Sequence, residues 1–468
     1  MVVRAEPTAA DQGSGPTAAA GTPRDGSRWL LPAGAALLVA VLAVYLADLA
    51  THVSSMAAVR DLVVYRNGGL IVRHVAPAYD GHRASPLYDW TGQNGVQFTY
   101  PPFAAVVFAV ASVLSWTLLR WAMTLASLAA LGLSLWLVFG ALGYVERPRV
   151  RLGATLGVSA LALLTEPVQQ TLALGQVNVL LMLLVIVDLL TPLDGRTRWW
   201  HGIGIGVAAG VKLTPLIFIP YLLLIRRYRQ AAAAAAVFAA TVALGYAVLP
   251  KDSVTYWVHG LFLKANRIVF LGTRGNQSLR GAATRLAGSV TSGTAPWIAA
   301  AILVVIVGLA AAAVLYRAGH PVPGMLACAL TGLLVSPLSW DHHWVWLAPG
   351  LALLAHLGAR ARGMVRAAWW AAAGGLVLVF GAWPQFWDLS QAGLTPAGLF
   401  WYGPATYFAT GDQPWYHEFH WHGLQVLAGN SFVLAGLAGL AALCVAALRI
   451  GLRRAPSQPT RPAVRRIR

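Results

Sequence analysis

A few polar side chains interrupt an otherwise apolar chain, and they are of the types that carry acid–base and phosphate chemistry. Asp61 stands in "RDLVVYRNGG", Lys212 in "GVKLTP", and His342 and His343 in "SPLSWDHHWVW". Only 16 of the 468 residues are Asp or Glu, whereas 58% are hydrophobic. An ionisable group at membrane depth costs about 2.5–3.5 kcal/mol on insertion scales and tends to face a functional interior. We therefore take these four residues as candidates for catalysis and phosphate contact.

Further polar side chains stand in or near the same kind of motif, at the ends of apolar runs. We take them as candidate substrate-binding residues: Tyr65, Tyr100, Glu166, Gln176, Asn178, Asn276, Gln277 and Arg280.

One carboxylate beside cations, imidazoles and amides is suited to moving a sugar from a lipid phosphate. The carboxylate takes the proton of an acceptor hydroxyl as general base, and the cations stabilise the departing phosphate. Glycoside hydrolysis would need a second carboxylic acid to protonate its poorer leaving group. The set predicts a single displacement that inverts the anomeric centre.

Each candidate also has a structural interpretation. Asp61 could pair with Arg60 or Arg66 as a loop anchor, Lys212 could extend to the membrane interface, and the histidine pair could satisfy helix ends. The prolines of "FTYPPF" favour a rigid turn. These interpretations stay open at the level of sequence.

Composition indicates an integral membrane protein. The mean hydropathy is +0.63, and a chain of this length has room for about twelve helices of roughly 20 apolar residues each. The net charge of +18 comes from short clusters between apolar runs, which favours cytoplasmic anchoring over binding of nucleic acid. Cys328 and Cys444 lie inside apolar runs, so neither a disulfide frame nor a cysteine metal site is expected.

The chain divides into three parts. Residues 1–27 predict a disordered cytoplasmic tail, residues 28–450 one transmembrane domain, and residues 451–468 a basic cytoplasmic tail. The first apolar run, from Trp29 to about Ala50, is interpreted as an uncleaved anchor.

Positive residues mark the cytoplasmic side of a membrane protein, and this rule predicts the topology. For the arginines near 147–151 to lie inside, the run 102–142 can cross only once, with 102–114 along the outer face. The run 200–225 is flanked by arginines at both ends, so it must go out and return, with a break near Lys212. The prediction is twelve crossings, both termini cytoplasmic, and outer loops at 51–101, 165–176, 250–296 and 383–429.

These motifs resemble the actinobacterial membrane mannosyltransferases of glycosyltransferase family 87. The resemblance rests on "RDLVVYRNGG", "FTYPPFAAVVF", "LGQVNVLLML", "GVKLTPLIFIPYLL", "NQSLRG" and "SPLSWDHHWVWLAP", in this order from residue 60 to about 350. It is nearest to the α-1,2-mannosyltransferases that extend phosphatidylinositol mannosides, with the enzymes that branch lipomannan as near neighbours.

The resemblance implies a GT-C fold: an all-α integral membrane protein of about 12 transmembrane helices with extracytoplasmic loop helices. It implies a catalytic aspartate in the first outer loop, here Asp61, and a role for one histidine of the "HHW" motif, with His342 and His343 both open. Lys212 and Arg280 are candidates for contact with the donor phosphate.

The implied partners are polyprenyl-phosphate mannose as donor, a glycolipid as acceptor, and membrane lipids. The implied location is the plasma membrane, with the active site on its extracytoplasmic side. No cofactor is expected, and a divalent cation is not indicated although the sequence leaves it open. The aromatic loop 383–429 departs from the family pattern and leaves the acceptor open; its alternating histidines favour acceptor contact or interfacial packing over a metal site.

Two other function classes remain. A transporter or flippase for lipid-linked sugars would also use broken helices and a buried lysine, although transporters place such residues near the midplane and often show internal repeats. A structural subunit of an envelope-building complex would tolerate replacement of Asp61 and Lys212 without loss of activity.

Overall fold

The computed structural model describes residues 27–52, 60–75, 86–89, 97–191, 198–265, 271–381, 398–402 and 417–454. Within these ranges the regular elements are helices. In chain order they are α1 (Ser27–His52), α2 (Arg60–Val72), α3 (Pro86–Asp89), α4 (Pro102–Ala111), α5 (Trp116–Phe139), α6 (Pro148–Leu163), α7 (Glu166–Leu174), α8 (Asn178–Leu190), α9 (Ile203–Val211), α10 (Phe218–Leu224), α11 (Tyr228–Val248), α12 (Pro250–Ser253), α13 (Leu279–Ala287), α14 (Val290–Arg317), α15 (Pro321–Val335), α16 (Leu347–Arg360), α17 (Gly363–Phe380), α18 (Leu424–Gly429) and α19 (Ser431–Arg454).

Six helical segments in the described part of the chain are long and apolar enough to cross a membrane. They are Arg28–Ala47, Trp116–Tyr144, Tyr228–Val248, Val290–Arg317, Gly363–Phe380 and Ser431–Arg453, and the bent pair of α7 and α8 would make a seventh. An all-helical, multi-pass membrane protein is therefore confirmed. The number of twelve crossings stays a prediction, because α9, α10, α15 and α16 are shorter than a full span.

Inside the run 102–142 only α5 is long enough to cross, in keeping with the single crossing predicted there. α4 is a separate helix of 10 residues that starts at Pro102, where the missing proline N–H costs no helical hydrogen bond. α5 starts at Trp116 and is capped by Ser115, whose side chain accepts the N–H of Leu118. The predicted tails and most of the loop 383–429 lie outside the described residues.

The first span is attached to the rest of the protein through glycines. α1 packs on α6, and a Cβ placed on Gly153 would lie 2.8 Å from the carbonyl carbon of Leu30. Such close backbone contact between helices in lipid needs small residues. Most of the opposite surface of α1 is exposed, as expected for a helix that faces lipid.

Two breaks between helices carry the polar motifs. α7 and α8 meet at 115°, with Gly175 in the left-handed region at φ +68° to end α7. α9 ends at Val211, Lys212 is extended, and a 3₁₀ turn over Thr214–Ile217 leads into α10. Non-helical backbone at membrane depth is tolerated where it is buried in protein or lines a cavity. These two breaks therefore indicate a candidate binding site.

A third irregular segment follows α15. After Val335 the chain is irregular as far as Trp340, forms a 3₁₀ helix over Asp341–Trp346 and then enters α16. A backbone bridge pairs Trp340 with Asn276, and α7 packs against the 3₁₀ helix. α2 packs on α4 beside these elements, and this arrangement brings Asp61 to the first break.

Candidate active site

Asp61 is the second residue of α2 and is partly exposed. The side-chain amide of Gln176, from the break between α7 and α8, donates a hydrogen bond to its Oδ2. Burial raises the pKa of Asp61 above its usual value, while His342, the Gln176 hydrogen bond and Lys212 each oppose that rise. The carboxylate is therefore a stronger base than an exposed aspartate and still has Lys212 nearby.

Gln176 is itself held by two tyrosines. The Tyr65 hydroxyl lies 2.6 Å from Gln176 Oε1, the Tyr100 hydroxyl lies 3.2 Å from the same oxygen, and the two hydroxyls are 2.8 Å apart. Three residues that the sequence assigns to substrate binding thus meet in one buried network around Asp61.

Lys212 lies at the second break and contacts the first one. Its Nζ donates to Asn178 Oδ1 at 2.8 Å and lies 2.9 Å from His343 Nε2. Burial lowers the pKa of Lys212 to about 7, with Asp61 opposing the change. The cation is therefore held in place without a direct carboxylate partner among the described residues, which leaves it available to an anionic substrate.

His343 is a neutral imidazole in this arrangement. Burial lowers its pKa well below the usual value, and the nearby Lys212 and His342 act in the same direction. An ammonium group can only donate, so Nε2 accepts from Lys212 and the proton resides on Nδ1. Nδ1 is buried and has no hydrogen-bond partner among the described residues. His343 therefore acts by holding the Lys212 ammonium through Nε2.

His342 points elsewhere. Its Nδ1 lies 3.3 Å from Asp341 Oδ1, and its backbone carbonyl accepts from Asn178 Nδ2 at 2.8 Å and from Thr171 Oγ1 at 3.1 Å. The two imidazole rings stand nearly perpendicular, at 84°. The histidines that the sequence could not separate therefore have different neighbours: His343 adjoins Lys212, and His342 adjoins Asp341.

An apolar groove adjoins the cationic group of Lys212. Its polar wall is formed by Asn178, Lys212 and His343, and the rest of the lining is predominantly apolar. The apolar residues are Leu181, Met182, Val185, Pro215, Ile217, Phe218, Ala329, Gly332, Leu333, Val345 and Trp346. Lys212 can bind a phosphate, and the apolar lining can bind a hydrocarbon chain attached to it.

Asn276 and Gln277 are fully buried and tie loops together. Asn276 donates to the carbonyl of Leu271 at 2.9 Å and accepts the N–H of Ser339 at 3.0 Å. Gln277 donates to the carbonyl of Gly429 at 2.8 Å and accepts the N–H of Phe432 at 3.2 Å. These contacts hold the segment before α13 against the segment after α15, through Asn276, and against the start of α19, through Gln277.

The remaining predicted residues lie apart from the hydrogen bonds around Asp61 and Lys212. Arg280 places its guanidinium 4.6 Å from the ring centroid of Trp297 on α14, and Glu166 is a fully buried residue at the start of α7. Arg285 is not among the residues predicted from the sequence. This buried side chain binds Asn430 Oδ1 at 2.6 Å and the Thr273 carbonyl at 2.9 Å. Its only sequence signal is that it is the second arginine of α13, five residues after Arg280.

Replacing Gln277 by Leu should lower the melting temperature by roughly 5 °C or more, since it leaves buried backbone groups without partners at about 1–3 kcal/mol each. Thermal unfolding of the detergent-purified protein measures this change. Gln425→Leu is the matched control, because among the described residues the Gln425 side chain accepts one hydrogen bond, from the exposed His422 N–H at 3.3 Å. Its melting temperature should stay within about 1 °C of wild type. Equal stability of the two variants would contradict the structural role of Gln277.

Comparison with known proteins adds to the geometry. The model of glycosyltransferase family 87 matches residues 98–337. A polyprenol-phosphate-mannose-dependent α-(1-2)-phosphatidylinositol mannoside mannosyltransferase of Mycobacterium tuberculosis is 34% identical over 316 residues, covering 66% of this chain and 72% of that protein. Pentamannoside mannosyltransferases with the same dependence, from Mycobacterium tuberculosis and Mycolicibacterium smegmatis, are each 35% identical over 73% of this chain and cover 76% and 80% of their own lengths. The match spans more than half of the chain and includes the breaks that carry Gln176 and Lys212, and so this membrane protein belongs to glycosyltransferase family 87.

Proposed function

We propose that this glycosyltransferase moves mannose from polyprenyl-phosphate mannose to a glycolipid acceptor, a phosphatidylinositol mannoside or lipomannan, in an α-1,2 linkage. The named activity of the relatives supports the donor, the acceptor class and the linkage. One observation carries the proposal: Asp61, a candidate base, lies near Lys212, and Lys212 lines an apolar groove.

The donor fits the groove by its chemistry. The phosphate would contact Lys212 Nζ, which Asn178 and His343 hold in place, and the polyprenyl chain would lie between α8, the Thr214–Ile217 turn and α15. Charge-assisted hydrogen bonds to phosphate are about twice as strong as neutral ones, and they strengthen as the phosphate gains charge. The same contacts therefore stabilise the leaving group.

The displacement has one base and one leaving group. Asp61 takes the proton of the acceptor hydroxyl, whose oxygen forms the new bond to the mannose anomeric carbon as the bond from that carbon to the phosphate oxygen breaks. The electron pair of that bond stays with the polyprenyl phosphate beside Lys212. The products are the mannosylated glycolipid, the polyprenyl phosphate and a protonated Asp61, and the anomeric configuration is inverted.

The GT-C arrangement and the side of the membrane belong to the same proposal. The arginine-rich ends of α10, α16 and α19 would face the cytoplasm, and the ends of the helices that carry Asp61, Lys212 and His343 would face outward. The location is then the plasma membrane, with both termini inside. Labelling of single cysteines at Lys251 and at Arg362 with a membrane-impermeant reagent in intact cells tests this orientation, since only the first should react from outside.

Donor affinity should fall as the pH rises above about 7. Lys212 has a pKa of about 7 in the empty site, so it is charged below that pH and neutral above it, whereas a mannosyl phosphodiester keeps its single charge. The dissociation constant should rise by about tenfold per pH unit once Lys212 is neutral. Equilibrium binding of labelled donor between pH 6 and 9 measures this dependence.

The Lys212→Arg variant is the control, because an arginine stays charged over the whole range. Its dissociation constant should change less than about threefold between pH 6 and 9. The same slope in both proteins would show that another group controls donor binding.

A further inference from the structure

The amide of Gln176 lies between the candidate base and a pair of tyrosines. Its Nε2 donates to Asp61 Oδ2, and its Oε1 faces the hydroxyls of Tyr65 at 2.6 Å and Tyr100 at 3.2 Å. Gln176 is only 3% exposed. Both ends of its amide are thus hydrogen-bonded to protein groups, which leaves little capacity for it to bind a substrate.

The tyrosines determine which end of the amide faces Asp61. Each hydroxyl carries one proton, and an amide has an accepting oxygen and a donating nitrogen. With Oε1 receiving the tyrosine proton, Nε2 must point at Asp61, where it meets an ionised carboxylate as its acceptor. The reversed amide would set its oxygen against a carboxylate oxygen, which is repulsive as long as Asp61 is ionised.

The frame around this amide is rigid. The ring of Tyr65 stacks on Phe108 of α4 with centroids 4.2 Å apart and planes at 9°. The Tyr100 carbonyl accepts the hydroxyl of Tyr88 at 2.7 Å, and the Gln176 N–H donates to the carbonyl of Thr171 at 2.8 Å. The "FTYPPF" turn and the α7–α8 break thus fix both sides of the amide before any substrate arrives.

We propose that Gln176 is a positioning residue for Asp61, and that Tyr65 and Tyr100 act through it. The amide holds Oδ2, so that Oδ1, which has no hydrogen bond to the described residues, is presented to the acceptor hydroxyl. This inference rests on the proposed function, in which Asp61 is the base. It replaces the direct substrate contact that the sequence predicts for these three residues.

The same bond keeps the base ionised. Burial raises the pKa of Asp61, and the hydrogen bond from Gln176 lowers it. The other titratable groups that face Asp61 are His342 and Lys212, which lower its pKa, and Asp341, which raises it. Loss of the Gln176 hydrogen bond should therefore raise the pKa and keep Asp61 protonated up to a higher pH.

The test is Gln176→Leu, which keeps the size of the side chain and removes both ends of the amide. We expect kcat to fall by about tenfold to a hundredfold, with the KM of donor and acceptor within about threefold of wild type. The acid limb of kcat against pH should move to higher pH. The double variant Tyr65→Phe, Tyr100→Phe leaves the amide free to turn and should shift the limb in the same direction by a smaller amount.

Gln230→Leu is the matched control. Gln230 is also buried and donates to the carbonyl of Asp188 at 2.8 Å, but none of its described contacts involves Asp61. It should lower the melting temperature without moving the acid limb. A limb that moves equally in both variants would mean that general loosening of the fold, and not the Gln176 bond, controls Asp61.

A measurement without turnover separates this role from the reaction itself. The carboxyl band in the infrared difference between wild type and Asp61→Asn reports protonation of Asp61 as the pH is varied. The same difference in a Gln176→Leu background should have its midpoint displaced to higher pH, by about tenfold in the acid constant.

An unchanged infrared midpoint would overturn the positioning role. So would a raised KM with unchanged kcat and an unchanged acid limb, because that result would mean that Gln176 binds substrate. A wild-type protein that transfers no mannose would count against the proposed function. The infrared midpoint would still decide whether Gln176 controls Asp61.

Discussion

Replacing Asp61 by Asn should reduce mannosyl transfer by about 10²–10⁴-fold, the range that a positioned general base contributes. The asparagine has the same shape, and its oxygen can still accept the hydrogen bond that Gln176 now gives to Asp61. The variant loses the ability to take a proton and the negative charge that raises the pKa of Lys212. At pH 6, where Lys212 is charged, donor binding should stay within about threefold of wild type, because Lys212 supplies the phosphate contact.

The measurement is transfer of radiolabelled mannose at equal amounts of folded protein. Asp252→Asn is the matched control: Asp252 is a buried carboxylate that accepts the N–H of Leu87 at 2.9 Å, a bond that an asparagine oxygen can keep. Its transfer rate should stay within about threefold of wild type. Full activity of Asp61→Asn would return Asp61 to an anchoring role and direct attention to His342, His343 and Glu166.

Replacing Lys212 by Met should lower kcat/KM by about 10²–10³-fold, a loss of the order seen when a preorganised group that stabilises developing charge is removed. The methionine fills much of the space of the lysine stem but offers no charge and no donor. The contacts to Asn178 and His343 are also lost, so the neutral imidazole is no longer oriented. Both the ground-state phosphate and the departing phosphate lose stabilisation.

Steady-state kinetics with a water-soluble, short-chain donor separates these effects. Lys251→Met is the control, since Lys251 is an exposed lysine on α12 and its loss should change kcat/KM less than about twofold. Lys212→Arg should keep more activity than Lys212→Met because it retains the charge. Equal rates for Lys212→Met and wild type would remove the cation from the mechanism.

The sequence points to candidate residues, but it does not show the contacts among them. Asp61 and Lys212 stand out because an ionisable residue in an apolar setting is costly, and the break at Lys212 follows from arginines at both ends of one apolar run. The family assignment from the motifs was confirmed by the match over 98–337. The twelve crossings and the roles of the individual side chains remain predictions.

The partners of the amides could not be read from the sequence. Gln176, Asn276 and Gln277 look alike there, as polar residues next to helix ends. In the fold Gln176 reaches Asp61, while the other two satisfy backbone groups of distant loops. Which role an amide takes depends on contacts between segments more than 60 residues apart, and no local pattern encodes them.

The histidine pair shows the same limit. "DHHW" places His342 and His343 side by side, but the 3₁₀ geometry of Asp341–Trp346 turns the two rings almost perpendicular. One ring then meets Lys212 and the other meets Asp341. In an α-helix or a strand the two side chains would point in other directions. Their neighbours therefore cannot be predicted until the backbone conformation is known.

The most direct test is the reaction itself. Purified wild-type protein, reconstituted in lipid, is given polyprenyl-phosphate mannose and a phosphatidylinositol mannoside, and the position and configuration of the new bond are determined by NMR. A mannose joined in an α-1,2 linkage, with the configuration at its anomeric carbon opposite to that in the donor, is the predicted result. Retention of the donor configuration would contradict a single displacement with Asp61 as the base, and donor left unconsumed with both substrates bound would contradict the transfer.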